Sequence, residues 1–487
     1  MKKKSIKLNF IMNTILMLSS FIFPLITFPY VSRVLGAEGN GRINFVSSIV
    51  DYIINIAMIG IPLYGIKVTA LNSNDKNKLS KVVHEIMMIN IFLGVISLML
   101  LFFLVLFIPK LYSEWQLFLI LSSKVVFLIL GMEWLFKGLE EYSYIAIRSL
   151  IFKIISIILM FFLVKNETDY INYAVLVILA GCGSYIINMF RARKYIIFKP
   201  FKEYNLKQHI LPLLSFFALT ISAILYTNID TTMLGFLIDN KEVGYYGVAV
   251  KIKAIIISVI TSLSVVLIPR VIQIFNEENL EKAYNLIKKN TNFIFVASLY
   301  FIGFFLINSK ESIIFISGNK FLPSIPVLQI IVIDTLLNGL VFLIGTSILI
   351  AKGKEKITLY ANILGIIINI LCNIYFITYF KAVGAAIATI ISTIAILLFQ
   401  AIYLRKEIKN YFDFINIFKI LISTVISMIM LVIFKQYIHI SNIFISILVL
   451  GVVYTTIFGI LLNIFKENIV IELEKSILSK IKNKIKK

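Results

Sequence analysis

Residues 25–48 read LITFPYVSRVLGAEGNGRINFVSS, and this stretch separates two apolar runs. Pro29 and Arg33 end the first run, and a glycine-rich turn with glycines at positions 36, 39 and 41 follows, together with Arg42. An apolar segment that ends in this way predicts a membrane helix that breaks at the turn. The break would carry fixed positive charge, which is an unusual way to re-enter a membrane.

The composition indicates a membrane protein. Of 487 residues, 60% are hydrophobic and only 15% are charged, and the mean hydropathy is +0.95. A soluble domain has about 25% charged residues, so this chain has too little polar surface to cover a soluble core. At about 20 apolar residues per span, the apolar runs predict an all-α polytopic membrane protein with about fourteen transmembrane helices.

The net charge of +22 indicates orientation in the membrane rather than binding to nucleic acid. When the N-terminus is placed in the cytoplasm, 35 of the 47 lysines and arginines fall in inner segments and 9 in outer segments. Cytoplasmic loops of membrane proteins carry an excess of basic residues, so both termini are predicted to be cytoplasmic. The N-terminal MKKKSIKLNF resembles the start of a signal peptide, but no small-residue cleavage site follows, which predicts a retained first span.

Two short patterns recur in the same order and predict a parallel repeat. YVSRVLG at 30–36 is echoed by YTNIDTTMLG at 226–235, and FKGLE at 136–140 is echoed by AKGKE at 351–355. Transporters built from such repeats bind substrate near the repeat interface. We therefore predict two pseudo-symmetric six-helix lobes and two further helices, in five segments: an N-terminal lobe 1–195, a cytoplasmic linker 196–209, a C-terminal lobe 210–405, helices thirteen and fourteen in 406–465, and a basic amphipathic tail 466–487.

Charged and amide side chains inside a membrane are costly, and each is a functional candidate. Arg33 stands out because arginine matches phosphate or carboxylate well, although it could instead reach the outer interface as an anchor. Asparagine stripes could equally serve helix–helix hydrogen bonding. The substrate-binding candidates are Arg33, Arg42, Lys124, Lys251, Lys253 and Asn55, and the ion-coupling candidates are Asp51, Glu133, Asp230 and Asp334.

Spacing on an α-helix sorts several of these candidates. Asp51 and Asn55 are four residues apart and face one side, as do Asp334 and Asn338. Lys124 and Glu133 are not in register with each other on a helix, so each should find its partner elsewhere. Lys251 and Lys253 point to different sides, so at most one should face inward, and Arg42 is expected in the loop after the glycines.

Other features exclude several classes of protein. The chain has no GxxxxGK[ST] motif, which argues against a built-in ATPase, and no HExxH or GxSxG motif. Its two cysteines and three histidines have no metal-binding spacing. We therefore predict no metal, no cofactor, no catalytic residue and no enzymatic activity.

The sequence resembles bacterial polysaccharide repeat-unit flippases of the Wzx type, which act in O-antigen and capsule biosynthesis and belong to the MATE-like exporter superfamily. The resemblance covers about residues 9–405. It rests on ITFPYVSRVLGAEGNGRINFVSSI, IAMIGIPLYGIK and EWLFKGLEEYSYIAIRSLIFKI in the first half, and on NIDTTMLG, EVGYYGVAVKI, AKGKEKITLYANILGIIINILCNIYF and KAVGAAIATIIS in the second.

This resemblance implies a V-shaped fold of two lobes around a central cavity. It also implies alternating access that moves an undecaprenyl-pyrophosphate-linked oligosaccharide across the bacterial plasma membrane, with Arg33 as the cavity cation of the first span. The implied partners are this lipid-linked substrate, membrane lipids, a coupling H⁺ or Na⁺ and the polysaccharide polymerase machinery, but not nucleic acid.

Two other functions stay open at this point. A drug or cation antiporter of the same fold should have an acidic cavity. A membrane-embedded transferase, such as a polymerase of the same repeat units, should have a large outer loop rich in Arg, Asp or His.

Overall fold

The computed structural model describes residues 6–277, 279–438, 440–468 and 471, and the described part of the chain contains helices and turns but no strand. Almost all of the predicted basic tail 466–487 lies outside these residues. The first helices are α1 Ile6–Met58, α2 Ile61–Asn72, α3 Lys76–Phe107, α4 Pro109–Tyr112, α5 Trp115–Gly131, α6 Glu133–Gly138, α7 Tyr142–Leu163, α8 Tyr170–Ile178, α9 Tyr185–Ala192 and α10 Lys207–Leu237.

The remaining helices are α11 Asn240–Asn276, α12 Leu280–Ile307, α13 Ser309–Ser317, α14 Ser324–Ile331, α15 Asp334–Phe342, α16 Glu355–Tyr403, α17 Phe414–Tyr437 and α18 Ile443–Ile464. A π-helical segment, Leu179–Gly183, joins α8 to α9, and a second one, Leu343–Leu349, follows α15. Short 3₁₀ turns lie at Glu167–Asp169, Asn319–Phe321 and Ile408–Tyr411.

Twelve helical stretches in the described residues are long and apolar enough to cross a membrane. Two of them contain a non-helical residue, namely Gly36 inside α1 and Lys381 inside α16. These helices have 53 and 49 residues, and a helix rises about 1.5 Å per residue, so each is long enough for two spans. Counting each as a pair brings twelve to about fourteen and confirms the all-α polytopic fold.

The predicted helix break in the first stretch is located at Gly36. This glycine has φ 67° and ψ −171°, a conformation that favours glycine because it has no Cβ. The carbonyl of Gly36 accepts a hydrogen bond of 2.8 Å from Asn40 Nδ2, which ties the break to the first turn of the continuing helix. The helix resumes at once, so Arg42 lies on a helix and the expectation of a loop at this residue is wrong.

Residue contacts divide the chain into two compact units, 1–244 and 245–487. In the first unit, α1 packs against α3, α5, α7 and α10, so α1 is the central helix of that unit. Its buried apolar side chains include Val31, Phe45 and Val46, which are completely or almost completely enclosed. The predicted lobe boundaries at 195 and 210 stay predictions.

In the second unit, α12 packs against α15 and α17, and α17 packs against α18. Leu431, Leu450 and Tyr454 form a buried cluster, and Tyr300 and Phe304 of α12 pack against it. The two helices that the sequence places outside the repeat are therefore attached to this unit through an apolar contact with α12.

The outer surface of both units is apolar, as a lipid-facing surface requires. Phe107 is 78% exposed and Leu211 is 75% exposed, and many other large apolar side chains are similarly open. Four of the described α-helices, α3, α12, α17 and α18, begin with a side-chain cap. Asp75, for example, accepts hydrogen bonds from the backbone of Asn77 and Lys78 at the start of α3, which satisfies donors that a helix end leaves unpaired.

Candidate functional site

Arg33 lies on α1 one turn before the break at Gly36. Its side chain is exposed, and Nη1 donates a hydrogen bond of 3.2 Å to the carbonyl of Pro29. Pro29 cannot continue the backbone hydrogen bonds of the preceding turn, because proline has no N–H. The proline and the glycine therefore frame a short helical segment that presents the guanidinium at the surface of the first unit.

Arg42, beyond the break, is held by acidic residues. Its Nη2 lies 2.8 Å from Glu38 Oε1 and its Nε lies 3.6 Å from Glu114 Oε1. Its guanidinium also lies 5.2 Å from the centre of the Tyr170 ring. Burial raises the pKa of Glu114, and the neighbouring Arg42 acts in the opposite direction. Two carboxylates so close to Arg42 favour a structural role, and its assignment to substrate stays a prediction.

Lys124 of α5 forms an ion pair with Asp51 of α1, with 3.1 Å between Nζ and Oδ1. The expectation that Lys124 finds its partner on another helix is confirmed. Both residues line a cavity of about 150 Å³ with Ser47 and Cys182. When this pair opens, the lysine can bind an anion and the aspartate can bind a cation.

Asn55 lies one turn after Asp51 and is buried. Its Oδ1 accepts a hydrogen bond of 3.4 Å from Thr220 of α10, so this contact joins two helices. Asp230 of α10 is also buried. Thr232, two residues further along, contacts Ser48 and Tyr52 of α1 through its hydroxyl at 2.9 Å and 3.2 Å. Polar side chains thus join α1 and α10 at two places along their contact.

In the second unit, Lys253 of α11 forms an ion pair with Asp334, the first residue of α15. Asp334 is fully enclosed, and its Oδ2 accepts a second hydrogen bond, of 2.9 Å, from Asn338. The prediction that Asp334 and Asn338 share one helix face is confirmed. Lys251 is two residues before Lys253, about 200° around the helix, so the two lysines face different sides as expected.

Asn369 and Asn373 of α16 are both buried and are joined by a hydrogen bond of 2.9 Å. This bond lies within one helix, so a role of these asparagines in helix–helix hydrogen bonding stays a prediction. Cys182 and Cys372 are not joined in a disulfide. Within the described residues, no group of three or more His, Cys, Asp or Glu side chains could hold a metal ion.

Glu133 at the start of α6 has two cationic partners, and neither of them is Lys124. The expectation that Glu133 finds its partner elsewhere is confirmed. Its Oε1 lies 2.8 Å from Lys137 Nζ, and its Oε2 lies 3.2 Å from Arg148 Nη2. Sequence reasoning missed Arg148, because it counted Lys137 and Arg148 as ordinary loop charges on the inner side. Arg148 lies six residues after the start of the apolar helix α7, and this position in the sequence could have identified it as a charge within a span.

Sequence reasoning also missed a buried polar network around Glu85 of α3. Glu85 accepts hydrogen bonds from Asn205 N at 2.7 Å and Gln208 Nε2 at 3.0 Å, and it lies 2.9 Å from His209 Nε2. The other ring nitrogen of His209 lies 2.7 Å from the Tyr64 hydroxyl. The network fixes the segment that leads into α10. Each of these four contacts joins residues at least 120 positions apart in sequence, so no local pattern predicts them.

Residues 6–275 match the family described as polysaccharide biosynthesis protein, and residues 217–375 match the MatE family. The first match covers more than half of the chain. The chain belongs to the polysaccharide biosynthesis protein family. This result agrees with the resemblance seen in the sequence and with the polytopic helical fold.

Two relatives extend the comparison of this polysaccharide biosynthesis protein. A protein of Shigella dysenteriae that is named as an O-antigen transporter is 24% identical over 372 residues, which cover 75% of this chain and 91% of that protein. An Escherichia coli protein with the same name is 27% identical over 172 residues, covering 34% of this chain and 40% of that protein.

Solved structures show the same fold. The lipid II flippase MurJ, in an inward closed conformation, superposes with a TM-score of 0.75 at 16% identity, over 94% of this chain and 99% of the other. An inward-facing MATE family multidrug resistance transporter gives a TM-score of 0.63 at 14% identity, over 82% of this chain and 99% of the other. At these identities the likeness concerns the fold alone.

Proposed function

We propose that this protein moves polyprenyl-pyrophosphate-linked oligosaccharide repeat units from the inner to the outer leaflet of the plasma membrane, for surface polysaccharide biosynthesis. The observation that carries the proposal is membership of the polysaccharide biosynthesis family, together with a relative named as an O-antigen transporter that aligns over 75% of the chain. The fold shared with a lipid II flippase is consistent with this task.

The physical problem of this transport is to carry a charged and sugar-bearing head group through hydrocarbon. A pyrophosphate cannot cross unaided, because an unpaired buried charge costs several kcal/mol or more. Arginine offers five donors in a fixed fork that fits phosphate oxygens. Arg33, exposed beside the break in α1, is the residue that we assign to the pyrophosphate, and Lys124 and one lysine of α11 are secondary candidates.

An energy source other than ATP is proposed, since the sequence has no nucleotide-binding glycine-rich motif. A coupling H⁺ or Na⁺ would need a carboxylate within the helices. Asp51 and Asp334 each form an ion pair with a lysine, and Asp230 and Glu133 are the other candidates. An ion that binds one of these carboxylates would release its lysine, which links ion binding to anion binding.

Orientation and partners complete the proposal. We place both termini in the cytoplasm on the basis of the distribution of lysine and arginine. Contact with the polymerase that uses the flipped repeat units is expected on the outer side, because that enzyme consumes the product there.

The test is transfer of a fluorescent lipid-linked oligosaccharide across the bilayer of proteoliposomes. We expect flipping by the wild type, strong loss with Arg33→Ala and partial recovery with Arg33→Lys. Arg405→Ala is the matched control, because Arg405 is exposed and lies outside the candidate spans. Full activity of Arg33→Ala would remove the role of Arg33 while the flippase stands. Export of a cationic dye, without flipping of any lipid-linked sugar, would refute the flippase and favour an antiporter.

A further inference from the structure

A basic pocket lies in the first unit between α1, α6, α7 and α9. It has a volume of about 340 Å³, and its charged lining residues are Glu133, Lys137, Arg148 and Lys153. Three cations therefore surround a single carboxylate. The rest of the polar lining consists of amide and hydroxyl groups, namely Asn13, Ser20, Ser149, Ser184 and Tyr185.

The single carboxylate cannot neutralise all three cations. Glu133 is shared between Lys137 at 2.8 Å and Arg148 at 3.2 Å. Lys153 Nζ instead donates to the hydroxyls of Ser19 and Ser20, at 2.8 Å and 3.2 Å. Among the described residues, no carboxylate oxygen lies within 4.0 Å of Lys153 Nζ. The pocket thus keeps positive charge in a part of the protein where uncompensated charge is costly.

Arg148 is the second, independent indication of a ligand. Its side chain is only 3% exposed, and Nε and Nη1 have no hydrogen-bond partner in the described part of the chain. The rings of Tyr144 and Tyr185 hold the guanidinium, with centres 5.5 Å and 5.0 Å from Cζ. A buried N–H group without an acceptor is unfavourable, so an arginine held in this way is suited to an additional anion.

An apolar pocket adjoins the basic pocket at Arg148, which lines both. This second pocket has a volume of about 630 Å³, and its hydrocarbon lining residues are Leu8, Ile147, Ile151, Phe152 and Ile187. Its polar lining residues, besides Arg148, are Ser143, Tyr144 and the ion pair of Glu141 with Arg191. A cationic cavity that shares the wall residue Arg148 with a second, partly apolar cavity fits a molecule with a phosphate-containing head group and a long hydrocarbon tail.

We propose that the basic pocket binds the pyrophosphate of a polyprenyl-pyrophosphate lipid, and that the adjoining apolar pocket holds the first part of its hydrocarbon chain. Arg148 and Lys153 contact the phosphate oxygens, and Glu133 keeps Arg148 and Lys137 in position. The inference rests on the proposed function, since it makes this pocket a loading site that extends from the helix ends that the charge distribution places in the cytoplasm to the middle of α7. It is separate from Arg33, which lies on the other side of the midpoint of the first span.

The test measures binding of undecaprenyl pyrophosphate to the purified full chain in nanodiscs. We expect Lys153→Gln and Arg148→Gln each to weaken binding about tenfold or more, as loss of a charge-assisted hydrogen bond does, and Arg148→Lys to restore part of the affinity. Arg148→Gln removes a buried partner of Glu133 and could unfold the chain. Lys153→Gln therefore decides the outcome, because Lys153 is only half-buried and its polar contacts are two hydroxyls.

Lys435→Gln is the matched control, because it breaks an ion pair with Glu311 in the other unit and should leave binding unchanged. Unaltered binding by Lys153→Gln would overturn the inference. Two competitors identify the source of the phosphate. Inorganic pyrophosphate binding as tightly as the lipid would overturn the role of the apolar pocket, and full displacement by phosphatidylglycerol would indicate a site for ordinary anionic lipids instead.

Flipping by the same variants separates this inference from the proposed function. If Lys153→Gln binds and flips like the wild type, the loading site is refuted while the flippase stands. If the wild type neither binds nor flips any lipid-linked pyrophosphate, the proposed function itself is refuted.

Discussion

The ion pair between Lys253 and Asp334 gives the sharpest prediction about the second unit. Asp334 is completely enclosed, and Lys253 is 13% exposed. Asp334 Oδ2 accepts from both Lys253 and Asn338, whereas Oδ1 has no hydrogen-bond partner in the part of the chain that the structure describes. Replacing Lys253 by Met keeps an unbranched apolar side chain of similar bulk, without the ammonium, and leaves the carboxylate with one amide donor.

Breaking a buried ion pair by removal of one partner costs about 3–5 kcal/mol, because an uncompensated charge stays buried. For a domain of 150–250 residues, 1 kcal/mol corresponds to about 2–4 °C in Tm. Lys253→Met should therefore lower the apparent Tm of the purified protein by about 6–20 °C. Thermal unfolding in detergent, followed by size-exclusion chromatography, measures this shift.

A double variant tests whether the loss comes from the charge. Lys253→Met combined with Asp334→Asn removes both charges and keeps a side chain that can bind Asn338, so it should be clearly more stable than Lys253→Met alone. Lys435→Met is the control, since the Lys435–Glu311 pair is more exposed and its loss should cost less. Two results would refute the reasoning. One is a loss of less than about 2 °C in Tm for Lys253→Met. The other is a double variant whose loss in Tm equals the sum of the losses of Lys253→Met and Asp334→Asn.

Three further predictions concern other parts of the molecule. A Cβ on Gly41 would lie 1.5 Å from the carbonyl oxygen of Asn240, so Gly41→Ala should force the two backbones apart and lower Tm by several degrees. A Cβ on Gly459 would meet open space, so Gly459→Ala is the control and should leave Tm unchanged. If Gly41→Ala and Gly459→Ala had the same Tm, this close packing at Gly41 would be contradicted. Burial acts to raise the pKa of Glu407. Hydrogen bonds from Lys352 and Tyr411 to its carboxylate outweigh burial and lower that pKa below its usual value of 4.5. The wild type should therefore be more stable than Glu407→Gln above pH 4.5, and the difference in Tm should shrink as the pH falls below that value; a constant difference would be the contrary result. Glu85→Ala removes the common acceptor of three donors and should speed proteolysis in the segment before α10, with Glu85→Gln between it and the wild type.

The sequence alone determined the kind of protein and much of its local geometry. Excess apolar composition requires a membrane environment, and helices satisfy all their backbone hydrogen bonds within one segment, so the all-α polytopic fold follows from composition. The break near Gly36 was also predictable, because only glycine adopts its positive φ without strain. The pairing of Asp334 with Asn338 followed from the four-residue spacing of one helix.

The partners of the charged groups were decided by tertiary structure. Nothing in the sequence indicates that Lys124 pairs with Asp51, or that Lys253 pairs with Asp334, since these residues lie 73 and 81 positions apart. Arg42 was expected in a loop, because the glycines suggest a longer turn than the single residue at which α1 breaks. Arg148 was counted as a loop charge, although packing of α6, α7 and α9 encloses it.

The physical reason is the range of the forces involved. Backbone geometry, helical periodicity and transfer into lipid act on each segment by itself and can be read from a window of about 20 residues. Which cation meets which carboxylate depends on how separate helices pack, and that is fixed by the whole set of contacts in a unit. The sequence therefore determined that this protein spans a membrane with apolar helices that carry a few charged side chains. Only the tertiary structure decided that Glu133, Lys137, Arg148 and Lys153 form one pocket.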